Sequence, residues 1–385
     1  MLAHVLCLVA ACHAWPSYGG LRDPGSCNPL NKDSRTWFSY FESAFAHSLL
    51  MHVSADCSPD SAFAGKSSFK FEGASYNEDF EKFWIVDDET KQDRDRVKFG
   101  DGNGLQVSLT DQKQAPTLTS HQYLLFGKVT VRAKAAKGPG LVTTVVLKSD
   151  SGDEIDWEML GAFQNQAQSN YYYNGEPLFN TYNTTYAISS SSYDDFHDYT
   201  VEWTDKFLKF SIDGAERKTW QPGEIPADKW PQTPMQVKLG IWAVEGYNDP
   251  GEISWAGGVP DWSRQPFTAA FHSVEVEDYT GWCEQVDAGG PVEYQYDDKT
   301  ESWADVRVAG CRERREPGIT APAPSGTSSA PSSASATETD NAEPTDNGDD
   351  NNGDGNPDDN EGAASILAPS AFLAFIAGLG SMLFF

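Results

Sequence analysis

Residues 153–160 read Asp153-Glu154-Ile155-Asp156-Trp157-Glu158-Met159-Leu160, with Glu154, Asp156 and Glu158 alternating with Ile155, Trp157 and Met159. Strand side chains alternate between faces with a period of two, so an extended chain here carries three carboxylates on one face and three large apolar groups on the other. Like charges held side by side repel and raise at least one pKa. A fold gains nothing from that arrangement. A nucleophile and a proton donor working together need it, because their pKa values must be driven apart.

On a helix, Glu154 and Glu158 would share a face at i,i+4 as an ordinary solvated edge. The flanks favour a strand. Val142-Thr143-Thr144-Val145-Val146-Leu147 is β-branched and apolar, and Ser149-Asp150-Ser151-Gly152-Asp153 is dense in turn formers. Strand, turn, strand is the natural parse. On alternation alone, a solvated sheet face or a Ca²⁺ site remain open beside an active site.

Further out, short β-type runs recur with turns between them: 106–109, 127–132, 199–203, 208–212 and 237–242. Ile212-Asp213-Gly214-Ala215 carries the Asp-Gly hairpin signal. Many short strands over residues 58–283 predict an all-β fold, a curved β-sandwich or jelly roll of the concanavalin-like kind. Two curved sheets leave a concave cleft that can hold a long polymer.

The 385 residues include 12 Trp, 15 Tyr and 21 Phe, which suits a β-rich protein that stacks on rings, sugars included. A net charge of −29 excludes nucleic acid as a partner. Residues 1–14 read as a secretory signal, with an apolar run and small residues before the cleavage point, although Lys and Arg are missing from its start. Removing it leaves Cys27, Cys57, Cys283 and Cys311, an even count that favours disulfides in a secreted chain. Of three possible connectivities, Cys27–Cys57 with Cys283–Cys311 ties off both ends of the domain. No Cys or His spacing suggests a metal, and no cofactor is expected.

Residues 15–57 form an N-terminal segment and 284–319 a C-terminal extension. Residues 320–361 are first Ser/Thr/Pro/Ala-rich, the composition of an O-glycosylated stalk, and then acidic and unable to bury a core. Residues 362–385 are largely apolar, with small residues and a polar spacer upstream, the layout of a GPI-attachment signal; a plain membrane span is the rival reading. Asn352, Gly353, Asn360 and Gly362 are candidate attachment points. Asn183-Thr184-Thr185 is a glycosylation sequon. The expected location is the cell surface, held by a GPI anchor or in the wall, and a monomer is expected.

The Glu154-Ile155-Asp156-Trp157-Glu158 segment has the ExDxE form of family-16 glycoside hydrolases. With Lys148-Ser149-Asp150, Gln168-Ser169-Asn170-Tyr171-Tyr172, Pro231-Gln232-Thr233-Pro234-Met235, Gly240-Ile241-Trp242-Ala243 and Trp255-Ala256-Gly257-Gly258, the stretch 65–279 resembles the fungal Crh family. Those proteins are GPI-anchored transglycosylases that join chitin to β-glucan in the cell wall. The resemblance implies Glu154 as nucleophile, Glu158 as proton donor and Asp156 as assisting carboxylate. It implies sugar contacts from Glu158, from Lys238, where relatives usually have Arg, and from Trp242. Glu252 stands where relatives have Thr. Tyr172 and Trp255 are further sugar platforms, with Gln168 and Asn170 as hydrogen-bonding partners. Relatives have a short loop between the first two cysteines; residues 34–55 here imply an insertion or a retained intron. The expected substrates are chitin and β-glucan, with retention of configuration and transfer to a sugar acceptor. A glucan or chitin hydrolase is the alternative, and a non-catalytic glycan-binding wall protein the remoter one.

Overall fold

The computed structural model describes residues 29–30, 57–75, 77–87, 96–100, 102–178, 184–225, 229–287, 290–297 and 300–314. The chain divides into two units, 1–321 and 322–385, and the described residues all belong to the first. Cys27, Asn183, residues 34–55 and the candidate GPI sites lie outside the described residues.

In chain order the strands are β1 (Asp60–Ser61), β2 (Lys66–Lys70), β3 (Trp84–Asp87), β4 (Val97–Gly100), β5 (Gly104–Leu109), β6 (Thr117–Leu124) and β7 (Gly127–Lys134). Then come β8 (Leu141–Ser149), β9 (Glu154–Leu160), β10 (Gln166–Tyr173), β11 (Glu176–Pro177), β12 (Thr184–Ala187), β13 (His197–Trp203), β14 (Leu208–Ile212) and β15 (Ala215–Trp220). The last are β16 (Met235–Ala243), β17 (Phe267–Asp278), β18 (Cys283–Val286), β19 (Glu293–Gln295), β20 (Arg307–Ala309) and β21 (Cys311–Arg314). One eight-stranded sheet runs β11-β10-β9-β8-β16-β6-β3, with β12 also on β10. The other runs β15-β14-β13-β7-β17-β5-β4, with β2 also on β17. The expected all-β sandwich is present.

The apolar half of the 153–160 stretch builds the core. Ile155, Trp157 and Met159 are fully buried. The Trp157 ring meets Phe210 and Tyr199 of the opposite sheet at centroid distances of 5.3 and 5.9 Å. Its Nε1 donates to the Thr200 carbonyl at 3.0 Å, so burial leaves no orphaned donor. The Asp-Gly signal is also met: Asp213 and Gly214 have φ of 52° and 75°, the pair of positive values a type I′ hairpin needs between β14 and β15.

A buried carboxylate holds the turn between β8 and β9. Asp153 accepts from the amides of Asn174 and Gln232, both at 3.0 Å, and from Thr233 Oγ1 at 2.9 Å. It therefore ties the hairpin turn to the end of β10 and to the Pro231–Pro234 segment. Burial pushes its carboxyl up while these donors pull it back.

The C-terminal extension packs on the sandwich. β19 pairs with β1 and β20, β18 pairs with β21, and Cys283 is bonded to Cys311. Cys57 is also disulfide-bonded. Asp278, at the end of β17, accepts from Tyr294 Oη at 2.5 Å, from the Gly281 amide at 3.0 Å and from the Ala64 amide at 3.2 Å. Trp303 meets Phe126 edge-on at 5.1 Å.

Candidate active site

Antiparallel register decides which side chains meet on the face opposite Trp157. Opposed residues share a face, so each rung across β10, β9, β8 and β16 presents one set. The first rung is Tyr172, Glu154, Lys148 and Gln236. The second is Asn170, Asp156, Val146 and Lys238, continued by Thr119 on β6. The third is Gln168, Glu158, Thr144 and Gly240. Nine of the sequence-selected or motif residues thus fall on one patch of sheet.

The three carboxylates have separate surroundings. Glu154 Oε2 is 2.6 Å from Lys148 Nζ, and only 14% and 11% of the two side chains is exposed. Asp156 is buried, and its Oδ1 has no hydrogen-bond partner. Burial first, then the charges of Glu154 and Glu158, push the Asp156 carboxyl well above its usual range; the Lys148 charge opposes them, and a side-chain hydrogen bond with Glu154 raises it further. The Glu158 carboxyl is pushed up to about 8, by burial and then by the Glu154 charge; Asn170 pulls it back and the Glu252 charge adds to the rise. Glu158 therefore keeps its proton at neutral pH, beside an Asp156 carboxyl raised in the same direction and a Glu154 that faces an ammonium. An acid with a proton to give next to a paired carboxylate can run acid–nucleophile chemistry.

The surrounding side chains are organised by one another. Asn170 Nδ2 reaches Glu158 Oε2 at 3.5 Å, and Asn170 Oδ1 accepts from the Tyr171 amide at 2.9 Å. Gln168 Oε1 accepts from Trp255 Nε1 at 2.8 Å. Both amides, expected on sugar hydroxyls, are thus engaged with protein groups. Trp242 and Trp255 stack on each other, 6.0 Å between centroids at 24°, so they form one platform rather than two. Burial first, then the three carboxylate charges, push the Tyr172 hydroxyl above its usual range, so it stays a neutral donor. Lys238 Nζ donates to Thr119 Oγ1 at 3.0 Å.

Glu252 lies on the short helix Pro250–Trp255 and accepts from Asn248 Nδ2 at 2.9 Å, while Asn248 Oδ1 takes the Glu245 amide at 2.7 Å. Two residues of this site escaped the sequence reading. Lys148 could have been found: counting outward from the 149–153 turn places it opposite Glu154. Asn248 carries no such signal, since its role depends on how the 244–249 loop folds. Among the described residues no cluster of His, Cys, Asp and Glu could hold a metal ion.

Residues 86–257 match the model of the glycosyl hydrolases family 16. A Crh-like protein 4 of Botryotinia fuckeliana is 37% identical over 213 residues, 54% of this chain and 54% of that protein. A Crh-like protein 3 of Aspergillus fumigatus is 34% identical over 262 residues, 66% of each. The chain thus spans between about half and two thirds of the length of these curated relatives. The solved structure of a Crh5 transglycosylase in complex with NAG is 32% identical, with a TM-score of 0.56, and the alignment covers 66% of this chain and 97% of that one. With that coverage, the same sandwich and the three carboxylates on one sheet face, the chain belongs to glycosyl hydrolase family 16, among its Crh-like proteins.

Proposed function

We propose that this protein is a retaining transglycosylase that cuts a β-1,4-linked, chitin-type donor and passes it to a β-glucan or chitin acceptor, cross-linking a cell wall. The observation that carries the reading is the unequal state of the three carboxylates. Glu158 keeps a proton to about pH 8 while Glu154 faces an ammonium. Glu154 attacks the anomeric carbon, forming an ester bond as the glycosidic C–O bond breaks. Glu158 gives its proton to the departing oxygen. Glu158 then takes the proton of an incoming sugar hydroxyl, whose oxygen displaces Glu154 from the anomeric carbon. Asp156, between them, shares a side-chain hydrogen bond with Glu154 and steadies it. The Trp242–Trp255 pair offers an aromatic plane to a pyranose face.

The likeness to a transglycosylase caught with NAG supports a chitin-type sugar. The apolar end 362–385 and the polar stretch before it support display on a GPI anchor, and the 1–14 segment supports secretion. The test incubates the purified protein with a chitin oligosaccharide and a labelled β-glucan oligosaccharide and resolves the products by mass. Hybrid chains are expected. Shortened chains alone would make the protein a hydrolase, and unaltered oligosaccharides that nevertheless bind would make it a lectin-like wall protein.

A further inference from the structure

Lys148 is given no task in the steps above, yet its ammonium makes a short polar contact to the carboxylate that attacks. Its Nζ sits 2.6 Å from Glu154 Oε2, and both side chains are nearly nine-tenths buried. The contact is built by the hairpin: Lys148 and Glu154 are directly opposed across β8 and β9. Burying an ammonium and a carboxylate costs several kcal/mol per ion unless they pair well, so the sheet carries this pair at a cost. Lys238, on the neighbouring rung, gives its Nζ to the Thr119 hydroxyl.

Charge conservation shows what the pair is for. With Glu158 protonated, the negative charge of Glu154 is matched by one ammonium. When Glu154 becomes a glycosyl ester it is neutral, and the charge reappears on Glu158, which has lost its proton. The net charge of these four groups is the same before and after. Without the ammonium, that negative charge would stand partly buried and unbalanced. Glu252 adds a further negative charge bearing on Glu158.

We propose that Lys148 is the positioning residue of this cleft: it aims the attacking oxygen of Glu154 and remains as counter-charge while the negative charge passes from Glu154 to Glu158. The proposal rests on Glu154 being the nucleophile, and the experiment separates the two. An epoxyalkyl glycoside of a chitin oligosaccharide esterifies the attacking carboxylate: its oxygen bonds to carbon as the epoxide C–O bond breaks, and the epoxide oxygen takes the Glu158 proton. Peptide mapping locates the label. Label on a different carboxylate removes the nucleophile assignment and this proposal with it. Label on Glu154, added as fast in Lys148→Met as in the unaltered protein, removes the proposal alone.

The expected result is Glu154 labelled, with labelling and kcat in Lys148→Met lowered about 100-fold or more and KM changed by less than about threefold. Lys148→Arg, which keeps the charge but not the geometry, should recover at least about tenfold of the loss. If Lys148→Met does not fold, melting of the double variant Lys148→Met/Glu154→Gln decides. With no buried unpaired charge left, it should be more stable than Lys148→Met. Additive destabilisation, an unfolded double variant or an Arg variant no better than Met would each overturn the pairing.

Discussion

At the scale of single residues, the site turns on the unequal surroundings of three neighbouring carboxyls. Glu158 is held up to about 8. In the proposed mechanism its proton goes to the leaving group, so kcat/KM should fall as pH rises through about 8, a limb that a pH–rate profile of the unaltered protein would show. Glu154→Gln should abolish transfer while oligosaccharide binding by calorimetry stays intact; substantial residual turnover would remove its role as nucleophile. Glu158→Ala should be partly rescued by donors with an activated leaving group, since such groups need no proton in the first step. Trp242→Ala takes away half of the stacked pair, and the Kd for a chitin oligosaccharide should rise about tenfold, the equivalent of ~1.4 kcal/mol. That Glu154, Asp156 and Glu158 share one sheet face was legible because alternation and register are local. The commitments of Gln168 to Trp255 and of Asn170 to Glu158 were not, because an amide's choice of partner depends on what the fold brings near it.

At the scale of elements, the β8–β9 hairpin does the positioning, and Asp153 closes it. The turn was readable from Ser149-Asp150-Ser151-Gly152-Asp153, since Gly152 supplies the positive φ of 90° that the bend demands. Asp153 reads in the sequence as one more polar turn residue, yet it is 2% exposed. Its three acceptor contacts reach residues 21, 79 and 80 positions away. Asp153→Ala would leave two backbone amides and a hydroxyl without their partner. The expected loss is roughly 2–4 kcal/mol, seen as a fall in melting temperature of roughly 5–15 °C. A loss confined to kcat with unchanged melting would show that the hub serves the site and not the hairpin.

At the scale of the whole molecule, the buried acids set the pH dependence of stability. Asp278 is pushed up to about 7, chiefly by burial, and Glu158 to about 8. A folded pKa above the unfolded one means that the native state holds more protons between about pH 4 and 8, so stability falls as pH rises across that window. Each group can cost up to ~1.4 kcal/mol per pH unit between its two pKa values. Melting temperature measured from pH 4.5 to 8.5 should therefore decline towards the alkaline end and level off above about 8. A rise across that range would contradict the desolvation that raises these two carboxyls. Reduction of Cys283–Cys311, which closes a separation of 28 residues, should cost about 3 kcal/mol and loosen β18 and β21 first.

By itself the sequence determined the fold class, the strand that carries the three carboxylates, the face they share, the Asp-Gly hairpin and the burial of Trp157. All of these follow from periodicity and turn chemistry within a few residues. Only the tertiary structure decided how burial and neighbouring charge raise the Asp156 and Glu158 carboxyls, that Gln168 bonds Trp255, that Trp242 and Trp255 form a single stacked platform, and that the C-terminal extension packs on the sandwich. The physical reason is the same in each case. Desolvation, charge pairing and aromatic stacking depend on distances between segments far apart along the chain, and those distances exist only once both sheets have closed over the core.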